Sequence, residues 1–190
     1  ADHWREFMRA PRRARRESLM EAYYGRVLLR RENRLLNRAE QAVYDGLAAL
    51  RGGDYRQALL DFTLAADLNH GDPVSRIHLA QAQVALGHDT EAARALRRAL
   101  ELQPRLVPMR LSLDQYYAQP TAYDAQVEAL ADRIASKPAV PADHYVLLGF
   151  LEFQRGHDVQ AYTAFRQAAR GLPADERVRK FLALTKPALQ

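Results

Sequence analysis

The chain has 190 residues, 48% of them hydrophobic and 27% charged, with a formal net charge of +5 and no cysteine. Such a balance suits a globular core of ordinary size, and the missing cysteine excludes disulfides, thiolate metal sites and cysteine nucleophiles. No apolar run approaches the roughly 20 residues of a membrane span, and the opening ADHWREFMRAPRRARR lacks the apolar centre of a signal peptide.

Charge is uneven along the chain. Residues 1–38 hold eleven Arg against five acids, or +6, while residues 39–190 hold seventeen basic against eighteen acidic residues, or −1. Lys occurs only at positions 137, 180 and 186. Arg usage of this kind fits a bacterial protein from a GC-rich genome better than a need for bidentate guanidinium chemistry.

In chain order, Trp4 and Phe7 precede Arg9, Arg12, Arg13, Arg15 and Arg16. Aromatic residues followed by positive charge are the cytoplasmic flank of a membrane segment. The expectation is a membrane-associated domain on the cytoplasmic face of the inner membrane, tethered by an anchor upstream of Ala1. A disordered basic tail on a cytoplasmic protein is the alternative, and a periplasmic location stays open. The same five arginines are candidates for contact with an anionic surface, phospholipid or nucleic acid. The near-neutral repeats that follow argue against nucleic acid.

Residues 18–36 read as an amphipathic helix. Ser18 and Glu21 have capping-box spacing, and Leu19, Met20, Tyr23, Tyr24, Val27 and Leu28 form one apolar face. It is expected to cover the first repeat, with self-association or a partner contact as the other uses.

From residue 39 the sequence repeats. Gly53, Ala58, Phe62 and Ala65 recur 34 residues later as Gly87, Ala92, Leu96 and Ala99. A shift of 69 carries Gly87, Ala92, Leu96, Ala99 and Pro104 onto Gly156, Ala161, Phe165, Ala168 and Pro173. Each unit reads as two helices around a Gly turn, closed by Pro in two copies. Asp89 and Asp158 are expected to cap the second helices. The repeated Gly-His-Asp is therefore a turn and a helix start, not a site used twice. His78 and His144 are expected at the surface or in a groove, and Glu101 and Asp132-Arg133 on solvated faces.

The pattern resembles the tetratricopeptide repeat, best from Ala142 onward, where Tyr145, Leu148-Gly149, Ala161, Phe165 and Pro173 match its positions. The resemblance covers residues 39–174, in copies at 39–72, 73–106, 107–141 and 142–174. The third is degraded, since AQPTAY sets a Pro in its turn, and is expected as a distorted, splayed pair. What the resemblance implies is an all-α, right-handed α-solenoid of about four hairpins, with an N-terminal helix. DERVRKFLALTKP forms the C-terminal capping helix within 175–190, with Val178, Phe181 and Leu182 facing the last repeat and Arg177, Arg179 and Lys180 facing water.

No nucleophile elbow, phosphate loop, zinc motif or calcium loop is present. No catalytic, cofactor or metal residue is assigned, and the expected function is a non-catalytic scaffold or adaptor for another protein. In this family first helices line the concave face, which places Val43, Leu47, Leu50, Ile77, Gln81, Val84, Leu111, Gln115, Val146, Phe150 and Phe153 there. So apolar a face requires a cover. The expected cover is an amphipathic helix from a partner, from a second copy, or from the chain's own residues 18–36.

Overall fold

A computed structural model describes residues 12–187, with side chains from residue 28 onward. Arg9 and the aromatic residues before it lie outside the described residues, as do the side chains of Arg12, Arg13, Arg15 and Arg16. The chain forms two compact units that divide between Arg38 and Ala39.

The first unit contains the beginning of α1 (Arg12–Arg51). The expected helix at 18–36 is thus part of a longer one. Nothing between Gly25 and Gly46 is a breaker, and Arg, Glu, Leu and Ala all favour helix. Ser18 lies inside this helix, so the expected capping box is not its start. Leu28 and Leu29 are more than half exposed, and Leu36 is exposed too.

The second unit holds α1 from Ala39 and seven further helices: α2 (Tyr55–Leu68), α3 (Pro73–Ala85), α4 (Asp89–Leu102), α5 (Pro120–Ala135), α6 (Ala142–Gln154), α7 (Asp158–Gly171) and α8 (Glu176–Thr185). The described residues form an all-α solenoid of stacked hairpins. Three turns repeat with one geometry. Gly53, Gly87 and Gly156 have φ of +77°, +76° and +79°, which glycine adopts without strain. The N–H beyond each Gly returns to the preceding helix: Asp54 to Ala49 O, His88 to Gln83 O and His157 to Glu152 O, at 2.8 to 3.0 Å. These bonds close the carbonyls that a helix end leaves open.

Inside each hairpin a small residue faces a large one. A Cβ on Gly46 would lie 2.7 Å from the Phe62 ring, and one on Gly149 would lie 2.8 Å from the Phe165 ring. Ala80 and Leu96 hold the corresponding positions in the middle copy, a larger first residue against a smaller second one. Ala58, Ala92 and Ala161 are fully buried, as close helix approach requires.

The third copy departs from the expected splayed pair. Its first helix is absent. Residues 103–119 form two short 3-10 turns, Pro104–Leu106 and Leu113–Tyr116, with extended chain between them, and only the second helix, α5, remains. Pro104 and Pro108 remove two donors and disfavour helix in the residues before them. Three complete hairpins therefore stand where four were expected. With that helix gone, α6 packs on α4, and Thr90 meets His144 at 3.4 Å while Arg97 pairs with Asp143.

The last helix follows its sequence reading in part. Asp175 caps α8 by accepting from the N–H groups of Arg177 and Val178. Phe181 is fully buried and stacks on Phe165 at 4.5 Å between ring centres. Arg177, expected in water, instead pairs with Asp175 at 2.6 Å and approaches Glu101 at 3.8 Å.

Candidate partner-binding surfaces

The Gly-His-Asp turns acquire a second feature in three dimensions. His88 and His157, not the aspartates, occupy the cap positions of α4 and α7, and neither makes a side-chain cap bond. Asp89 and Asp158 sit one residue further in, at the positive end of the helix, and each receives an arginine from the third copy. Arg133 of α5 reaches Asp89 through Nη2 at 2.7 Å and Nε at 3.0 Å, and also donates to Val84 O at 3.1 Å. Arg110 reaches Asp158 at 2.7 Å and donates to Phe153 O. Val84 and Phe153 are equivalent, so one device recurs: a guanidinium ties the end of the first helix to the start of the second. Asp89 is buried and Lys137 adds a second cation 3.6 Å away. Arg133 is thus a structural ion-pair residue, not the solvated charge its sequence suggests.

The concave positions are largely closed. Leu50, Ile77, Gln81, Val84, Phe150 and Phe153 are buried in the chain's own core. Val43, Leu47, Leu111 and Val146 are half-buried, and only Gln115 is exposed. Two segments of the second unit lie against them. Phe181 of α8 lies over Phe150 and Phe153, with ring centres 6.2 and 5.8 Å away. The 103–119 connection lies against α6 as an extended strap, and its Tyr116 meets His78 of α3. The Gln154 amide donates to Met109 O at 3.1 Å and accepts from the Leu111 N–H at 2.6 Å. The Arg110 guanidinium lies 4.2 Å from the centre of the Phe153 ring. Gln154 therefore holds a backbone as a receptor holds an extended peptide.

His78 and His144, expected at the surface or in a groove, are both buried. His78 stacks on Phe62 at 5.3 Å, meets the edge of Tyr116 at 4.7 Å, and shares a 2.8 Å hydrogen bond with Gln81. Burial lowers the pKa of His78, against the opposing pulls of the Gln81 hydrogen bond and Asp72. Burial, helped by Lys137, lowers that of His144. Burial raises the phenols of Tyr117 and Tyr123, which stay protonated. Among the described residues no group of three His, Asp or Glu side chains converges on a metal-sized site.

An apolar surface stays open among the described residues. Between α5, α6 and α7 runs a channel of about 480 Å³. Tyr145 and Leu148 of α6 form its floor, Ala131 and Ile134 of α5 one wall, and Val159 and Thr163 of α7 the other. It exists because Ala131 and Ala135 are too small to fill the space opposite Tyr145, and Val159 at its edge is 63% exposed. Sequence reasoning assigned Tyr145 and Leu148 to repeat packing and overlooked Val159. The available signal was a large aromatic facing a helix whose matching face is alanine.

Beside the channel, α5 carries Asp124, Glu128 and Asp132 one turn apart. The nearly buried Arg155 meets Asp124 at 2.8 Å, Glu128 at 3.1 Å and Glu152 at 3.3 Å. Burial alone would lower its pKa, but these carboxylates, Glu152 first, raise it and keep the guanidinium charged. His157 joins Glu152 at 3.0 Å. Three carboxylates share one arginine, and one of them, Glu152, lines the channel, so negative charge is in excess on this side of α5 and α6.

No family model and no curated protein matches the sequence. Among solved structures, the Arabidopsis OM64 TPR domain is similar at 15% identity over 80% of this chain and 97% of its own, with a TM-score of 0.42. A MamA protein is similar at 18% identity over 77% of this chain and 80% of its own, with a TM-score of 0.36. A MamA double mutant is similar at 21% identity, 78% and 83% coverage, and a TM-score of 0.34. Overlaps this loose transfer no surface from one protein to another. The tetratricopeptide-like character rests on the chain's own Gly turns and its small-on-large hairpin contacts.

Proposed function

We propose that the chain is a non-catalytic protein-binding scaffold whose docking surface is the channel between α5, α6 and α7, which receives a helix. The observation that carries this reading is the contrast between two faces. Most concave positions are buried within the chain's own core, whereas the channel is mostly apolar and open. Helix-in-groove recognition needs this kind of surface, two turns long and able to receive anchors at positions i, i+3 or i+4, and i+7. Of the concave set, Val43, Leu47 and Gln115 retain surface for a secondary contact. The test is partner capture from the native host by wild type and by Val159→Asp, with Tyr44→Asp as an exposed control elsewhere. Val159→Asp should lose the partner with its circular dichroism unchanged. Equal capture by both variants would contradict the reading.

The excess of +6 within residues 1–38 favours a second, compatible role, orientation at an anionic membrane. Four arginines near such a surface contribute about 4 kcal/mol, which corresponds to binding only in the millimolar range. The cluster would therefore orient a tethered domain without holding a free one. Sedimentation with phosphatidylserine vesicles should give weak binding that 0.5 M salt removes. Tight, salt-resistant binding would contradict this role.

A further inference from the structure

We infer that the occupant of the α5–α6–α7 channel is the N-terminal helix of a second copy of this chain. The inference rests on the reading of that channel as the docking surface, and adds what fills it. Charge is the first argument. Residues 12–38 carry nine Arg against three Glu, or +6. Glu152 lines the channel, and on α5 Asp124, Glu128 and Asp132 stand at one-turn spacing next to its Ala131 and Ala135; Arg155 is the shared counter-ion of Asp124, Glu128 and Glu152. A cationic helix fits such a surface and an acidic one is repelled from it.

Shape is the second argument. Leu28 and Leu29 are exposed, and Leu35 and Leu36 repeat them seven residues on. Two neighbouring rows at i, i+7 form a ridge two turns long, as long as the stretch of α7 from Val159 to Gln167 that lines the channel. Placed in the channel of a second copy, Leu28 and Leu35 cover Tyr145, Leu148 and Val159, while Arg31, Arg34 and Arg38 reach the carboxylates of α5. Two copies can exchange helices reciprocally. Such a twofold arrangement uses each contact twice.

The experiment uses the full chain in sedimentation equilibrium at low and high salt. Wild type should be a dimer. Leu28→Glu with Leu36→Glu in one protein should be monomeric, and so should Val159→Asp in another, both with wild-type helical content. Mixing the two should restore a heterodimer, because one intact helix then meets one intact channel. Asp132→Lys should weaken the dimer about tenfold at low salt, with the difference shrinking at high salt where surface charges are screened. A monomeric wild type overturns the inference. If that monomer still loses a host partner on Val159→Asp, the scaffold reading stands and only the occupant is wrong. If the helix variant stays dimeric, or the mixture stays monomeric, the exchange is also overturned.

Discussion

Gly46 and Gly149 face the residue sixteen positions later, Phe62 or Phe165, and Ala80 and Leu96 stand at the same spacing in the middle copy. The sizes trade off: glycine goes with phenylalanine and alanine with leucine. Gly149→Ala should therefore overpack its hairpin and cost about 2 kcal/mol. Adding Phe165→Leu should recover part of that loss, because the pair then matches Ala80 and Leu96. Urea denaturation of the two single variants and the double variant checks this, and simple additivity would refute it. The recurring aspartates differ in burial. Arg133→Met leaves the buried Asp89 carboxylate short of its main partner and should cost about 3 kcal/mol. Arg110 and Asp158 are more exposed, so Asp158→Asn should cost less than about 1 kcal/mol. The spacing of Gly, Ala and Phe was legible in the sequence. The arginines were not, because Arg133 lies 44 residues from Asp89 and Arg110 lies 48 from Asp158.

At the scale of elements, α3 carries a buried histidine with a consequence for pH. The folded-state pKa of His78 is depressed, so above about pH 6.5, the unperturbed value, the ring is neutral in both states and contributes no pH dependence. Below that value the unfolded chain takes up a proton that the folded chain resists. Stability should then fall as pH falls, and His144 on α6 acts in the same direction. Melting temperature should drop between pH 7 and pH 5, with a shallower slope for His78→Gln. A slope unchanged by that substitution would contradict the assignment. The 103–119 connection is the element that sequence reasoning described least well. Its damaged repeat pattern announced a departure, but the reading kept a splayed helix pair and gave Pro104 and Pro108 no weight against the first helix. Nothing in the pattern showed that the replacement would lie along α6, since that depends on Gln154 bonding to a backbone 43 to 45 residues away. Ser112, at φ +47°, marks the bend where the extended run gives way to the second 3-10 turn.

At the scale of the whole molecule, the repeat period identified the helices of all the regular hairpins and the small-on-large core that joins them. It placed the open apolar surface on the concave positions because it assumes that every hairpin is complete. With one first helix missing, α6 docks on α4, most concave positions are buried within the chain's own core, and the exposed apolar surface moves to the channel beside α5. The most direct test is hydrogen exchange on the full chain, read at the amides of residues 109–111 and along α6. A strap bound to Gln154 predicts that the Leu111 amide exchanges nearly as slowly as the middle of α6, and that Gln154→Ala accelerates it at least tenfold while α7 is unaffected. If residues 109–111 exchange at the rate of an open loop in the wild-type chain, the concave face is not closed and the account is contradicted.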